Sequence, residues 1–339
     1  MTGGELLRRG TAVLRQAGLD WPRLEAEVLL AHAWGRSREE LLIHPEQEAP
    51  EAAARQFMAL AGQRAGGVPA AYLTGAREFM SLLMAVTPAV LIPRPETEVL
   101  VEEVLRWLAS RPARPVLRAQ RARSRAQRRC RVQWIGRGSL RSQSRWHRTW
   151  HRRFSGRGTV FDQPLVADVG TGSGAIAVSL AHCHLAVQVT AIDISEAALE
   201  VAAVNAARHG LADRISFLTG DLLAPLLERG DAGAGTTVAA NLPYIPTAAW
   251  DRLPPEVRRE PRLALDGGGD GLDLYRRLLP QAAAWLAPGG LLACEIGPGQ
   301  AEVLIELLQQ DSWRLVRLIR DYRGEERVVT ALRTEDPSW

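Results

Sequence analysis

The 339 residues contain no lysine, so all 42 basic side chains are arginines. Cysteine occurs three times, at Cys130, Cys183 and Cys294, widely separated and without CxxC spacing. That excludes a disulfide framework and gives no zinc signature, so ordinary thiols are expected. No apolar run is long enough to cross a bilayer, which excludes a helical membrane protein. The start, Met1 to Glu5, lacks the basic segment and apolar core of a secretory signal, so a cytoplasmic location is expected. Acidic residues are missing altogether from Val104 to Phe161.

That last absence explains the net charge of +4. Sixteen of the 42 arginines fall between Arg111 and Arg157, leaving 26 against 38 acidic residues in the rest of the chain. The basic character therefore belongs to one segment, in which Trp134, Trp146 and Trp150 follow neither helical nor strand periodicity. Such a stretch does not readily build a core. Elsewhere the composition, 46% hydrophobic and 24% charged, is that of an ordinary globular protein, and the length suits two domains.

The first part reads as short helices. Leu6, Leu7, Val13 and Leu14 precede Gly18, the pattern of an amphipathic helix with a C-terminal stop. Asp20 and Pro22 open a second, with Leu24, Val28 and Ala31 on its inner face up to Gly35. Ser37 and Glu40 have capping-box spacing ahead of Leu41 and Leu42, and a fourth helix carries Phe57, Leu60 and Ala61 to Gly66-Gly67. Tyr72-Leu73 makes a last short turn. Two short strands are expected between Glu78 and Val86, then a proline-stiffened connection, Leu91 to Glu98, and a helix from Val99 to Leu108.

Beyond the Arg-rich segment, strands alternate with helices: strands at 165–169, 187–192, 215–218, 237–240 and 290–296, helices at 175–181, 196–209 and 274–286. This alternation predicts a doubly wound, parallel sheet with helices on both faces. The runs 313–319 and 327–332, separated by Asp321 to Gly324, predict a closing antiparallel hairpin.

Asp168-Val169-Gly170-Thr171-Gly172-Ser173-Gly174-Ala175 follows the first of these strands and opens a helix, where glycine permits a tight turn and close backbone approach to a nucleotide-like cofactor. The run also fits the dinucleotide pattern GxGxxG/A, so by itself it does not separate NAD from S-adenosylmethionine. Asp193 ends the second strand, where a carboxylate can accept from both ribose hydroxyls. Its alternative is a helix N-cap, a task Ser195 can do instead. Asp221 and Leu222, after the third strand, are candidates for holding an adenine ring.

Asn241-Leu242-Pro243-Tyr244 directly follows the strand Val238 to Ala240, at the sheet edge where such folds place ligands. A planar nitrogen is hard to methylate because its lone pair is delocalised. A useful site accepts its N–H hydrogens, positions the nitrogen and covers the flat group with an aromatic ring. The Asn241 side-chain oxygen and the Leu242 carbonyl can be the two acceptors, Pro243 stiffens the turn, and Tyr244 can stack. Alignment alone can supply up to about 7–11 kcal/mol, so no strong base and no metal is called for. His182, His184 and His209 lie on or beside helices and receive no role.

These motifs together resemble the bacterial release-factor glutamine N5-methyltransferases, the HemK or PrmC family. The likeness runs through Ala71 to Gly75 with Arg77 to Phe79, Leu91 to Glu98, Asp168 to Ala175, Asn241 to Pro246, Glu260-Pro261 to Tyr275, and Glu295-Ile296-Gly297. It covers nearly the whole chain outside the Arg-rich segment. It implies a class I S-adenosylmethionine-dependent methyltransferase with a seven-stranded sheet, an N-terminal helical domain at 1–76, a hairpin and proline-rich linker at 77–98, and a methyltransferase domain at 99–339 interrupted by the insert 111–161. The helical domain would recognise class I peptide chain release factors, and the glutamine of their Gly-Gly-Gln loop would be methylated, leaving S-adenosylhomocysteine. Gly170, Thr171, Gly172, Ser173, Gly174, Asp193, Asp221, Leu222 and Asn241 would hold the cofactor, and Asn241 to Tyr244 the glutamine amide. A monomer is expected. The family more often has Asn-Pro-Pro-Tyr and an aromatic residue at the position of Leu222.

Two other functions compete. Adenine presents the same planar amino group, and Asn-Leu-Pro-Tyr also resembles the motif of rRNA adenine dimethyltransferases, so an N6-adenine methyltransferase is one. A noncatalytic RNA-binding protein using the Arg-rich arm is the other, though it leaves Asn241 to Tyr244 unexplained. The insert itself reads either as an arm for rRNA or tRNA phosphates, the one part suited to nucleic acid, or as out-of-frame translation of GC-rich DNA. Composition favours the second, or a nonfunctional loop.

Overall fold

The computed structural model describes residues 1–111, 163–310 and 312–334. Both readings of the insert 111–161 fall, beyond Arg111, outside the described residues, as do Cys130, Trp134, Trp146 and Trp150.

The N-terminal helices are α1 (Gly3–Gln16), α2 (Pro22–Trp34), α3 (Arg38–Ile43), α4 (Glu51–Ala65) and α5 (Ala70–Thr74). Thr2 with Glu5 and Ser37 with Glu40 form complete capping boxes, which satisfy the first free amides of α1 and α3. Leu6, Leu7, Leu14, Leu29, Leu30 and Phe57 form their shared core. The inner face of α2 differs from the expectation: Ala26, Leu29 and Leu30 are buried, Leu24 is exposed, and Val28 and Ala31 are half-buried. Apolar residues lie almost all round this helix, so periodicity does not select its phase.

Strands β1 (Ala76–Phe79) and β2 (Leu82–Ala85) pair antiparallel, and α6 (Thr97–Ser110) follows, opening two residues earlier than its periodicity suggests. The main sheet contains β3 (Leu165–Val169), β4 (Gln188–Asp193), β5 (Ile215–Thr219), β6 (Gly235–Ala240), β7 (Leu286–Glu295), β8 (Trp313–Arg320) and β9 (Glu326–Arg333). Its helices are α7 (Ala175–Cys183), α8 (Glu196–Arg208), α9 (Ala224–Glu228), α10 (Asp273–Trp285) and α11 (Ala301–Gln309). Neither α9 nor α11 is anticipated above, although Leu304 and Leu308 of α11 are buried at helical spacing. Among the described residues no helix is long and apolar enough to cross a membrane.

The strand order is β5-β4-β3-β6-β7-β9-β8. Pairing is parallel from β5 to β7, and β9 runs antiparallel between β7 and β8. The inner strands are buried almost end to end, as when helices cover both faces of a parallel sheet. At the edge, β8 carries Arg314, Arg317 and Arg320, charges that discourage a further strand from adding. The chain leaves β3 towards β4 and β5, then returns to β6 on the other side of β3. The switch point therefore lies between the carboxyl ends of β3 and β6, where Val169 pairs with Ala240. The loops beginning at Gly170 and Asn241 start side by side.

Candidate active site

The turn after β3 is held by backbone and carboxylates. Gly170 N and Thr171 N both donate to the Ile192 carbonyl, at 2.9 and 3.0 Å. Gly170, Gly172 and Gly174 have φ of 71°, 54° and 77°, a region that side chains other than glycine avoid. A Cβ built on Gly172 would meet nothing within 4 Å, so the turn is open on that side to a ligand. Thr171 and Ser173 are buried, and the Thr171 hydroxyl donates to Asp168 Oδ2 at 2.6 Å. Asp168 also accepts Ala177 N at 3.0 Å, and burial pushes its carboxyl up to about 7.

Asp193 closes the same turn. Its Oδ2 accepts Gly172 N and its Oδ1 accepts Ser195 N, both at 2.9 Å, while Ser195 caps α8 through Ala198 N. Each carboxylate oxygen keeps a lone pair for a further donor. Burial raises the carboxyl's pKa, opposed by these amides. Asp221 is half-buried and ion-paired with Arg277 of α10. Leu222 is buried with φ of 53°, a strained backbone for a branched side chain.

At the reaction loop, Asn241 Nδ2 donates to the Thr97 hydroxyl at 3.0 Å, so Oδ1 is the part of the amide available to a ligand. The Leu242 side chain is buried against Gly170, where a Cβ on the glycine would lie 2.9 Å from Leu242 Cδ2. A larger residue than glycine there would separate the two loops. Pro243 and Tyr244 are half-buried, and burial pushes the Tyr244 phenol up to about 12, keeping it neutral.

Several residues that hold this loop carry no signal of their own in the sequence. The Tyr275 hydroxyl, fully buried, accepts Leu242 N at 3.3 Å and donates to the Glu295 carbonyl, which fixes the Leu242 peptide. Gln300 Nε2 donates to the Tyr244 carbonyl at 2.8 Å, and its Oε1 accepts Gly297 N at 2.9 Å. The Tyr244 ring lies against Gly297, where a Cβ would stand 2.9 Å from Cδ2, and a Cβ on Gly271 would overlap the Tyr244 carbonyl. Glu260, buried, accepts Ile92 N at 2.9 Å and pairs with Arg94, binding the proline-rich connection to the segment after the loop. Asn205 joins β2 to the glycine turn: Nδ2 donates to Ala85 O and Ser173 O, and Oδ1 accepts Ala85 N. Only the Glu295-Ile296-Gly297 and Glu260-to-Tyr275 matches pointed near them.

A doubly wound sheet closed by an antiparallel hairpin, with a glycine turn after β3 and an asparagine-led acceptor loop after β6, defines a class I S-adenosylmethionine-dependent methyltransferase. Two family models agree with this: the PrmC N-terminal domain matches residues 5–75, and a Methyltransferase domain matches residues 166–260. The release factor glutamine methyltransferase of Moorella thermoacetica is 44% identical over 98% of both chains. That of Bordetella pertussis is 39% identical over 91% of this chain and 93% of its own. The solved protein-(glutamine-N5) methyltransferase (release factor-specific) of Alicyclobacillus acidocaldarius is 28% identical, covers 74% of this chain and 99% of that chain, and has a TM-score of 0.37. The chain belongs to the release factor glutamine methyltransferase family.

Proposed function

We propose that the protein transfers a methyl group from S-adenosylmethionine to the side-chain amide nitrogen of the glutamine in the Gly-Gly-Gln loop of class I peptide chain release factors. The observation that carries this reading is the orientation of Asn241, whose amide nitrogen is engaged by Thr97 and whose oxygen is left for an incoming N–H. The kinship with release factor glutamine methyltransferases supports the choice of substrate.

S-adenosylmethionine supplies, when bound, a methyl on a cationic sulfur that departs as a neutral thioether. The turn from Gly170 to Gly174 would hold it by backbone contacts, Asp193 would accept from its ribose hydroxyls, and Asp221 and Leu222 would border the adenine. Asn241 Oδ1 and the Leu242 carbonyl would accept the two N–H hydrogens of the glutamine amide, and the Tyr244 ring would cover its plane. Two acceptors fix the nitrogen in line with the donor, so rate comes from alignment. The surplus proton leaves the nitrogen once the new bond has formed. The helices of residues 1–76 would recognise the release factor, with the protein acting as a cytoplasmic monomer.

Incubation with a release factor, rRNA and methyl-labelled cofactor tests the reading. Label is expected on the Gly-Gly-Gln peptide, and label in rRNA with none in protein would move the assignment to adenine methylation.

A further inference from the structure

An asparagine amide has an accepting end and a donating end, and turning it over exchanges them. Which end of Asn241 meets a ligand is decided by what holds the other. Asn241 Nδ2 donates to the Thr97 hydroxyl at 3.0 Å. Thr97 is the buried first residue of α6. Beside the same hydroxyl lies the side chain of Glu295, the last residue of β7, also buried, and neither of its carboxyl oxygens has a hydrogen-bond partner of ordinary geometry among the described residues. A buried carboxyl whose one nearby hydroxyl, that of Thr97, favours its charged form without reaching ordinary hydrogen-bond geometry is costly, so its retention calls for a reason.

The reason follows from counting protons. A carboxylate has none to give, so the only hydrogen available between Thr97 and Glu295 is that of the hydroxyl. With that hydrogen turned to the carboxylate, the Thr97 oxygen offers Asn241 lone pairs alone. Asn241 must then present its NH2 group to Thr97 and its Oδ1 to the ligand. We propose that Thr97 and Glu295 act as a positioning pair that fixes the amide of Asn241 with its oxygen towards the substrate nitrogen. The proposal rests on Asn241 being the acceptor of the glutamine amide.

Protonation of Glu295 would reverse the chain of donors. The acid would give its hydrogen to Thr97, the hydroxyl hydrogen would be free to turn to Asn241, and the amide would lose its bias and could show Oδ1 inward and NH2 to the substrate. Burial pushes Glu295 up to about 7, opposed by Thr97 and by Arg327 of β9, with Glu96 raising and Arg94 lowering it from the segment before α6. Tyr244 from the reaction loop, Tyr275 from α10 and the neighbouring Cys294 are the other titratable groups nearby. Burial pushes all three upward, so they stay neutral through this range. Transfer should therefore fall on the acid side of about pH 7; Asp168, behind the glycine turn, is pushed up to about 7 as well, so the share that belongs to Glu295 is the share that Glu295→Gln removes.

The test measures methyl transfer to a release factor from about pH 5.5 to 8.5, together with cofactor affinity by calorimetry, for wild type, Thr97→Val, Thr97→Ser and Glu295→Gln. Thr97→Val should lower kcat roughly tenfold, the cost of one unpaired buried polar group, with cofactor affinity within about twofold of wild type. Thr97→Ser, which keeps the hydroxyl, should recover most of that loss. Glu295→Gln should flatten the acidic limb of kcat, leaving only what Asp168 contributes. An undiminished kcat in Thr97→Val, or an unchanged acidic limb in Glu295→Gln, overturns the pair. A wild-type enzyme that leaves the release factor unmethylated at every pH overturns the assignment of Asn241 itself, and the pair falls with it.

Discussion

At the scale of single residues, Asn241 is the side chain on which the proposed methyl transfer would turn. Removing a positioned acceptor at a reacting centre costs about 10²–10³ in rate, whereas the glycine turn and Asp193 keep most of the hold on the cofactor. Asn241→Ala should lower kcat by that order while weakening cofactor affinity only a few-fold, as read by single-turnover kinetics and calorimetry. Wild-type turnover would remove Asn241 from the mechanism. The placement of Asn241 was legible in the sequence, because an Asn-Leu-Pro-Tyr run straight after an apolar strand falls at the carboxyl end of β6. Its orientation was not, because Thr97 lies 144 positions away and only folding brings the two together.

At the scale of elements, the site is two loops pinned from behind. Asn205 of α8 makes three hydrogen bonds, to Ala85 O, Ala85 N and Ser173 O, so a helix, a hairpin and the cofactor turn share one amide. Asn205→Ala should cost about 3 kcal/mol in chemical denaturation, since at roughly 1 kcal/mol per bond several buried groups lose their partner together. A change below about 0.5 kcal/mol would show that the tie is dispensable.

Glu295 sets a second expectation. Its folded pKa of about 7 lies above the ordinary value of 4.5, so the folded chain binds its proton more tightly than the unfolded chain does. The stability this gives is complete below pH 4.5 and is lost as pH rises through about 7. Glu295→Gln should therefore unfold at a higher temperature than wild type at alkaline pH, and the gap should close towards pH 4.5. A gap that does not change with pH would contradict the buried-carboxyl account. A carboxylate that weakens the fold where the enzyme works fits a residue kept for function.

The strands were legible because a parallel sheet covered on both faces writes continuous apolar runs, as at Val238 to Ala240 and Leu291 to Cys294. The hairpin of β8 and β9 showed through its Asp321 to Gly324 turn. Short α9 left too little periodicity to register, and α11 follows a Gly-Pro-Gly run that carries no helix-start signal. The phase of α2 was hidden by apolar residues on every side. Tyr275, Gln300 and Glu260 are ordinary residue types whose roles exist only across long chain separations.

For the whole molecule, the helical bundle meets the rest through an apolar cluster, Ala71 and Tyr72 on Val86, Val90, Ala198 and Val201, and through polar contacts. Arg64 of α4, almost wholly buried, pairs with Glu25 of α2 and reaches Glu256 beyond the reaction loop. The Tyr72 hydroxyl donates to the Val90 carbonyl at 2.7 Å, between the last short helix and the proline-rich connection. Arg64→Ala should loosen the bundle by roughly 2 kcal/mol, splitting the calorimetric transition while leaving cofactor affinity unchanged. A single transition at the wild-type temperature would place the coupling elsewhere. The bundle was readable as helices from its caps and stops, but nothing in the sequence told how Arg64 spends its charge.

The central claim is that a flat carboxamide is gripped between Asn241 and Leu242 under the ring of Tyr244. Tandem mass spectrometry of a class I release factor after incubation with the enzyme and S-adenosylmethionine tests it directly. The account predicts one added methyl, located on the side-chain nitrogen of the Gly-Gly-Gln glutamine and formed about 10²–10³-fold more slowly when Asn241→Ala is used. An unmodified glutamine with the methyl recovered on an adenine, or on any other residue of the release factor, would contradict it.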